Sequence, residues 1–337
     1  MNRPGWMALF ASLSVMIATA VTCVFSTQAL AQNSNSPFAG RWDFNIASTN
    51  GISARWLGVT EKDGDLEAWY QPGGGHVYPV KDVHVNGAHM SLTVSPASKG
   101  HPAVTWELEA KGGKLVGEEK SGDSTTVLTG VRAPELKRGA PKVWTDPTPL
   151  FNGKDLEGWE PIGDGASSHW TVQGGMLVNT ARGANLRTTR KFDDFKLHFE
   201  VSCPEDCNSG FYLRGRYEVQ IESEVPLTAP VERRIGSIYG RIAPQPELPR
   251  ASGQWENFDI TLVGRTLTEV HDGVTTIDQK VIDGITGGAL DADEGEPGSF
   301  YIQGDHTGNL KYRNITVSVP KKQASGSRST ATSTVTN

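Results

Sequence analysis

Wherever this chain is patterned, the pattern has a period of two. Met90, Leu92 and Val94 alternate with Ser91 and Thr93, and Trp106 and Leu108 alternate with Glu107 and Glu109. Successive side chains of an extended strand point to opposite faces, so this rhythm makes half-buried antiparallel strands; a helix would space its apolar residues by three and four. Helical spacing is scarce, and the one stretch that suits a short helix is Val231 to Ile235, inside a longer connection. Asp63-Gly64 and Gly112-Gly113 interrupt the alternation with residue pairs that tolerate positive φ, as tight hairpins require. The chain is expected to be all-β.

Its ends have a different character. Arg3, an apolar run from Trp6 to Phe25 and the small-residue site Ala29-Leu30-Ala31 have the layout of a secretory signal peptide over residues 1–31, with export to the periplasm or beyond the cell. The run approaches the ~20 apolar residues that span a bilayer, so an uncleaved anchor is the competing reading. Lipid attachment at Cys23 is disfavoured, because Ala20-Val21-Thr22 lacks the leucine such sites carry. No later stretch is apolar enough for a membrane span. Residues 321–337 form a Ser/Thr-rich tail with nothing to bury. Pro134, Pro141, Pro147 and Pro149 fall where the pattern lapses, which places a linker at 134–147 between a β domain over 38–133 and a second over 148–320. The net charge of −6 comes without a basic stripe, which excludes nucleic acid as the expected partner.

Beyond Cys23 the cysteines are Cys203 and Cys207, which read as a disulfide in an oxidising compartment. Extended, residues four apart are too distant to bridge, so Cys203-Pro-Glu-Asp-Cys207 has to turn. Two thiolate metal ligands are the weaker alternative, since no third Cys or His stands nearby. In the first domain, a β-meander, Gly40-Arg41-Trp42 resembles the opening of a lipocalin-type barrel. Trp42, Trp56 and Trp69 line a sugar platform or, on the reading favoured by the size of the domain, close its core.

The second domain carries the chemistry. Phe195 to Val201 turns Lys196, His198 and Glu200 away from its apolar side, and Phe211 to Arg214 does the same with Tyr212 and Arg214. Tyr217 to Glu222 buries Tyr217, Val219 and Ile221 and presents Glu218, Gln220 and Glu222. Ser299 to Gln303 offers Tyr301 and Gln303, just before Asp305 and His306. If these strands are neighbours, one sheet face is rich in the bidentate and aromatic groups that grip sugar hydroxyls and C–H surfaces. An ordinary solvated sheet face explains the alternation equally well.

The blocks Leu150-Phe-Asn-Gly-Lys-Asp-Leu-Glu-Gly-Trp159, Trp170-Thr-Val-Gln-Gly-Gly-Met-Leu177, Asn208-Ser-Gly-Phe-Tyr-Leu-Arg214, Tyr217-Glu-Val-Gln-Ile221, Gly236-Ser-Ile-Tyr239 and Tyr301-Ile-Gln303 with Tyr312-Arg-Asn-Ile315 occur in that order. Residues 149–320 thereby resemble the 3-keto-disaccharide hydrolase family, whose fold is a concanavalin-like jelly-roll sandwich. His271-Asp272-Gly273 and the run Ile302 to Gly308 depart from the family pattern. The resemblance implies cleavage of a glycoside already oxidised at C3, by proton abstraction at C2, elimination and hydration. It implies Glu218 or Glu222 as the base and His306 or Arg214 as stabiliser of the enolate. Asn208, Tyr212, Gln220, Tyr239 and Gln303 would bind the small carbohydrate substrate. A divalent metal held by His306, His198 and a carboxylate is an alternative to Arg214. The acidic loop Asp291 to Glu296 is short for calcium and reads as a solvated turn. Two other classes compete with the enzyme: a non-catalytic sugar-binding module using the same face, and a scaffold protein working through its first domain.

Overall fold

The computed structural model describes residues 36–49, 51–98, 101–223, 228–248, 252–306 and 308–321. The expected leader over residues 1–31 and the tail from 322 onward lie outside the described residues. The chain is all-β, and its ordered elements divide between a barrel and a sandwich.

The barrel consists of β1 (Gly40–Ser48), β2 (Gly51–Lys62), β3 (Asp65–Gln71), β4 (Tyr78–Val80) and β5 (Val83–Asn86), then β6 (His89–Ser95), β7 (Val104–Lys111), β8 (Lys114–Ser121) and β9 (Ser124–Arg132). Their order is β4-β3-β2-β1-β9-β8-β7-β6-β5, every pairing antiparallel. Only Lys81 and Asp82 separate β4 from β5, so the two ends of that order are halves of one extended run. The run pairs with β3 and then with β6, and the sheet closes on itself as in lipocalin-like barrels. Asp63-Gly64 and Gly112-Gly113 have positive φ at both positions and make the expected two-residue hairpins.

The barrel interior is solid. Trp42, Phe44, Leu57, Tyr70, Met90, Leu92, Trp106 and Leu115 fill it, with Trp106 edge-on to Phe44 and Tyr70 at 4.8 and 5.1 Å. The three tryptophans therefore make no platform. Trp42 closes this core, while Trp56 and Trp69 point outward and pack against the sandwich, Trp56 beneath Arg241 at 4.3 Å.

The sandwich comprises β10 (Thr148–Pro149), β11 (Trp159–Pro161), β12 (Trp170–Gln173), β13 (Met176–Asn179), β14 (Leu186–Phe192), β15 (Phe195–Ser202) and β16 (Asn208–Leu213). It continues with β17 (Tyr217–Glu222), β18 (Trp255–Val263), β19 (Thr266–His271), β20 (Val274–Val281), β21 (Gly298–Ile302) and β22 (Leu310–Ser318). One sheet runs β12-β13-β22-β15-β18-β19-β20, with β10 beside β22; the other runs β11-β14-β21-β16-β17. The inward rows interleave: Phe199 of the first sheet stacks on Phe211 of the second at 4.4 Å. Val231 to Ile235 forms only a single 3-10 turn, Val231–Arg233, because Pro230 and Gly236 bound the segment before a helix can propagate. Among the described residues no helix is long and apolar enough to cross a membrane.

Barrel and sandwich meet over buried charge. The acidic loop is neither a solvated turn nor a calcium loop. Asp291 pairs with Arg216 at 2.6 Å, and Asp293 accepts from Asn45 of β1 at 2.8 Å. Glu294, 0% exposed, accepts from Arg265 and from the Tyr217 hydroxyl, each at 2.5 Å. Asp43 of the barrel faces Glu294, and burial together with that neighbour raises its carboxyl far above the ordinary range, so it keeps its proton. Removing one partner of a buried ion pair strands the other. Glu294→Ala is therefore expected to cost on the order of 3 kcal/mol in urea unfolding, and Asp43→Asn, which replaces a group already neutral, less than about 1 kcal/mol.

Candidate functional site

The site is built on the five-stranded sheet around its outer strand, β17. Between β16 and β17 the register sets Asn208 opposite Glu222, Gly210 opposite Gln220 and Tyr212 opposite Glu218, while β21 sets Tyr301 beside Tyr212. Strand alternation thus gathers Asn208, Tyr212, Glu218, Gln220, Glu222 and Tyr301 on one face. Gln303 continues β21, its N–H donating to the Gly210 carbonyl at 3.0 Å and its side chain to the Tyr212 hydroxyl at 3.2 Å. The adjacency of the Tyr301 and Glu218 strands, posed as a condition on the sequence, is not met: β16 lies between, and Tyr212 bridges them.

Apart from Asn208, which is exposed, the β16 and β17 residues of this face are buried. The segment 236–239 runs along the edge of β17: Gln220 N donates to Ser237 O at 3.0 Å, Gly236 N to Gln220 O at 2.9 Å and Tyr239 N to Glu218 O at 3.0 Å. Opposite, the segment 286–288 is tied down by Thr286, whose hydroxyl accepts from Glu218 N at 3.0 Å. Tyr212 donates to Gly287 O at 2.7 Å and Tyr301 to Gly288 O at 2.5 Å, the two rings stacked with centroids 3.9 Å apart.

Glu218 sits between these walls, 5% exposed. Its carboxylate lies across Gly210, where an added Cβ would be 2.3 Å from Oε1. Burial raises its pKa to about 8; the Tyr212 hydroxyl works against the rise and Asp305 adds to it. Gln220 Oε1 and Ser237 Oγ, on neighbouring strands of the same face, are buried without hydrogen-bond partners, so the face has acceptor capacity to spare. Tyr239 is half-buried; desolvation raises its phenol, the Glu218 charge adds to this and the Arg233 charge opposes both.

Asp305 and His306 follow β21 at the open rim. His306 Nδ1 lies 2.7 Å from Asp305 Oδ1, a bond that raises the imidazole pKa, while the side chain stays 45% exposed. Asp305 is held below its ordinary value by His306 despite partial burial. Cys203 and Cys207 are bridged with Cα atoms 5.6 Å apart, the turn made by Asp206 at φ 57°. Cys207 donates to the Ser223 hydroxyl, which fastens the start of β16 to the end of β17.

Two expected members lie elsewhere. Arg214 leaves the strand at φ 53°, so alternation no longer governs it. Its buried guanidinium turns away from Glu218 to Gly264 O at 2.9 Å, Tyr217 Oη at 3.2 Å and Asp193 at 3.3 Å. His198 faces outward from β15 in the other sheet and pairs with Asp259 at 2.9 Å, so it cannot share a metal with His306. Among the described residues no group of three His, Cys, Asp or Glu side chains is placed to hold a metal ion. Arg233 and Ser237 were missed as site residues in the sequence, although Ser237 lies inside the Gly236-Ser-Ile-Tyr239 block that marks the segment and Arg233 three residues before it.

Residues 146–318 match the 3-keto-alpha-glucoside-1,2-lyase-like domain. The chain belongs to this family. Membership supports a role in acting on or binding glycosides. Among solved structures, a candidate glycosyl hydrolase from Parabacteroides distasonis is 27% identical, covering 55% of this chain and 94% of its own, with a TM-score of 0.43. A second such protein from that organism is 20% identical, covering 51% and 98%, TM-score 0.41. A carbohydrate-binding module from Bacillus subtilis is 13% identical, covering 48% and 96%, TM-score 0.30. None of the curated proteins matches the chain.

The Glu218 environment has a measurable sign. A carboxyl raised from 4.5 to about 8 contributes stability that is intact below 4.5 and lost as pH climbs to about 8. Glu218→Gln should therefore be more stable than the parent, by a margin that opens above pH ~4.5, reaches a few kcal/mol and levels off above pH ~8 in urea unfolding across that range.

Proposed function

We propose that this protein cleaves glycosides already oxidised at C3, with Glu218 as the base. The observation that carries the reading is a buried carboxyl with a pKa of about 8, laid over Gly210 at the base of a face equipped with amide and phenol groups, in a domain of this family. Ordinary glycosidases need two carboxylates flanking the scissile bond. Elimination needs a base matched to the pH, a stabiliser for the enolate oxygen and a proton for the leaving group.

The ketone at C3 acidifies the C2 proton. Glu218 removes it; the C–H electron pair becomes the enolate, and its collapse breaks the C1–O bond. The departing oxygen takes up a proton and leaves as an alcohol, and water then adds across the resulting C1=C2 bond to give the free 3-keto sugar. Arg233, acting beside Tyr239, and His306, raised by Asp305, are the cations on hand for the enolate oxygen and the leaving group. Gln220, Gln303 and Asn208 orient the ring, and Glu222 extends the polar floor. The donors fit a metal poorly, since Asp305 and His306 bind each other and the Glu218 carboxyl favours its proton. The same reading places the protein outside the cytoplasm, on the leader-like segment from Arg3 to Ala31 and on the Cys203–Cys207 bridge, a bond that persists in oxidising compartments.

Purified protein is expected to release the free 3-keto sugar from a 3-keto-glucoside such as 3-keto-trehalose, with kcat rising toward pH ~8 as Glu218 ionises. Glu218→Gln should lower kcat by about 10²–10⁴-fold. Sugar binding without turnover, with or without added divalent metal, would replace this reading with a carbohydrate-binding module.

A further inference from the structure

The barrel supplies none of the groups named above, yet one of its turns reaches them. Between β3 and β4 the chain reads Pro72-Gly73-Gly74-Gly75-His76-Val77. The glycines let backbone meet backbone: Gly288 N donates to Gly73 O at 2.9 Å, and a Cβ on Gly287 would lie 2.1 Å from Gly75 O. Gly287 and Gly288 are the residues whose carbonyls hold Tyr212 and Tyr301.

The same turn presses on the opposite wall. A Cβ on Gly240 would come within 2.8 Å of the His76 Cβ, and Gly240 directly follows Tyr239. His76 Nδ1 lies 3.4 Å from Arg233 Nη1. A guanidinium has donors only, so Nδ1 accepts and the ring proton resides on Nε2. The Arg233 charge acts on the Tyr239 phenol, and the Tyr239 backbone N–H is bound to the Glu218 carbonyl. The contacts run without a gap from the barrel to the carboxyl-bearing strand.

We propose that the barrel completes the active site, and that His76 is a positioning residue holding Arg233 and Tyr239 in place beside Glu218. This rests on Glu218 being the base. Burial and the Arg233 charge lower the His76 pKa, against the opposing charge of Glu232, which keeps the ring the neutral acceptor that Arg233 needs; the Tyr78 ring stands edge-on at 6.5 Å. Protonation of His76 would set two cations against each other and loosen the segment.

The test compares the full protein with His76→Ala and His76→Asn, whose side-chain oxygen can accept the same N–H. Kinetics with 3-keto-trehalose across pH are paired with amide hydrogen exchange of residues 231–242 without substrate. The alanine variant should lose about tenfold to a hundredfold in kcat with a smaller change in KM, and exchange faster at Tyr239 and Gly240. Asparagine should restore most of both and abolish the acid limb that His76 imposes. Kinetics within twofold of the parent and unchanged exchange in the alanine variant would overturn the proposal. So would equal losses in both variants accompanied by a lowered Tm. If the parent turns over no 3-keto-glycoside, the base assignment falls, and exchange alone decides whether His76 holds the segment: faster in alanine and restored in asparagine supports it, unchanged refutes it.

Discussion

The outer strand of the five-stranded sheet has a row of backbone donors and acceptors with no further strand to meet them, and the connection at 236–239 supplies their partners. Buried backbone groups must be paired, so the chain returns along β17 as an irregular extra strand. That return carries Tyr239 and Ser237 onto the polar face and, with the 286–288 segment opposite, removes water from Glu218. Desolvation then does to the carboxyl what no nearby charge does alone. The chemistry of the site is thus a by-product of closing a sheet edge.

Close approach of glycine backbones recurs at each wall. Gly210 leaves space for the Glu218 carboxylate; Gly287 and Gly288 carry the carbonyls that anchor two stacked tyrosines; Gly240 admits His76. The barrel is held against these walls by Glu294, which accepts from Tyr217 and Arg265 while facing protonated Asp43. Tyr217 immediately precedes Glu218. Ion pairing at the junction and the position of Glu218 are therefore features of one short stretch of β17, and displacement of either would be felt by the other.

Much of the fold was legible because strand periodicity is a local property. Met90 to Val94, Phe195 to Val201 and Tyr217 to Ile221 all bury the residues their alternation indicates. The polar row of Glu218, Gln220 and Glu222 was legible for the same reason, but its burial was not. Arg214 looked like the next member of such a row; a left-handed backbone at the β16–β17 turn sends it to the other side. His198 has the right chemistry on the wrong sheet, a matter of which strands pair, and pairing is decided by contacts remote in sequence. Trp56 and Trp69 turn toward the sandwich for a reason no barrel sequence contains, namely the presence of a second apolar surface to cover.

By itself the sequence determined the class of fold, the disulfide turn at Cys203 to Cys207 and the residue types available on β16, β17 and β21, because each depends on neighbours within a few positions. Only tertiary structure decided which of those residues share a face, which of them lose their water, and that a barrel loop beginning with Gly73 stands against the site. Hydration and long-range contact are properties of a packed volume, and a carboxyl such as Glu218 acquires its pKa from that volume rather than from the residues beside it in the chain.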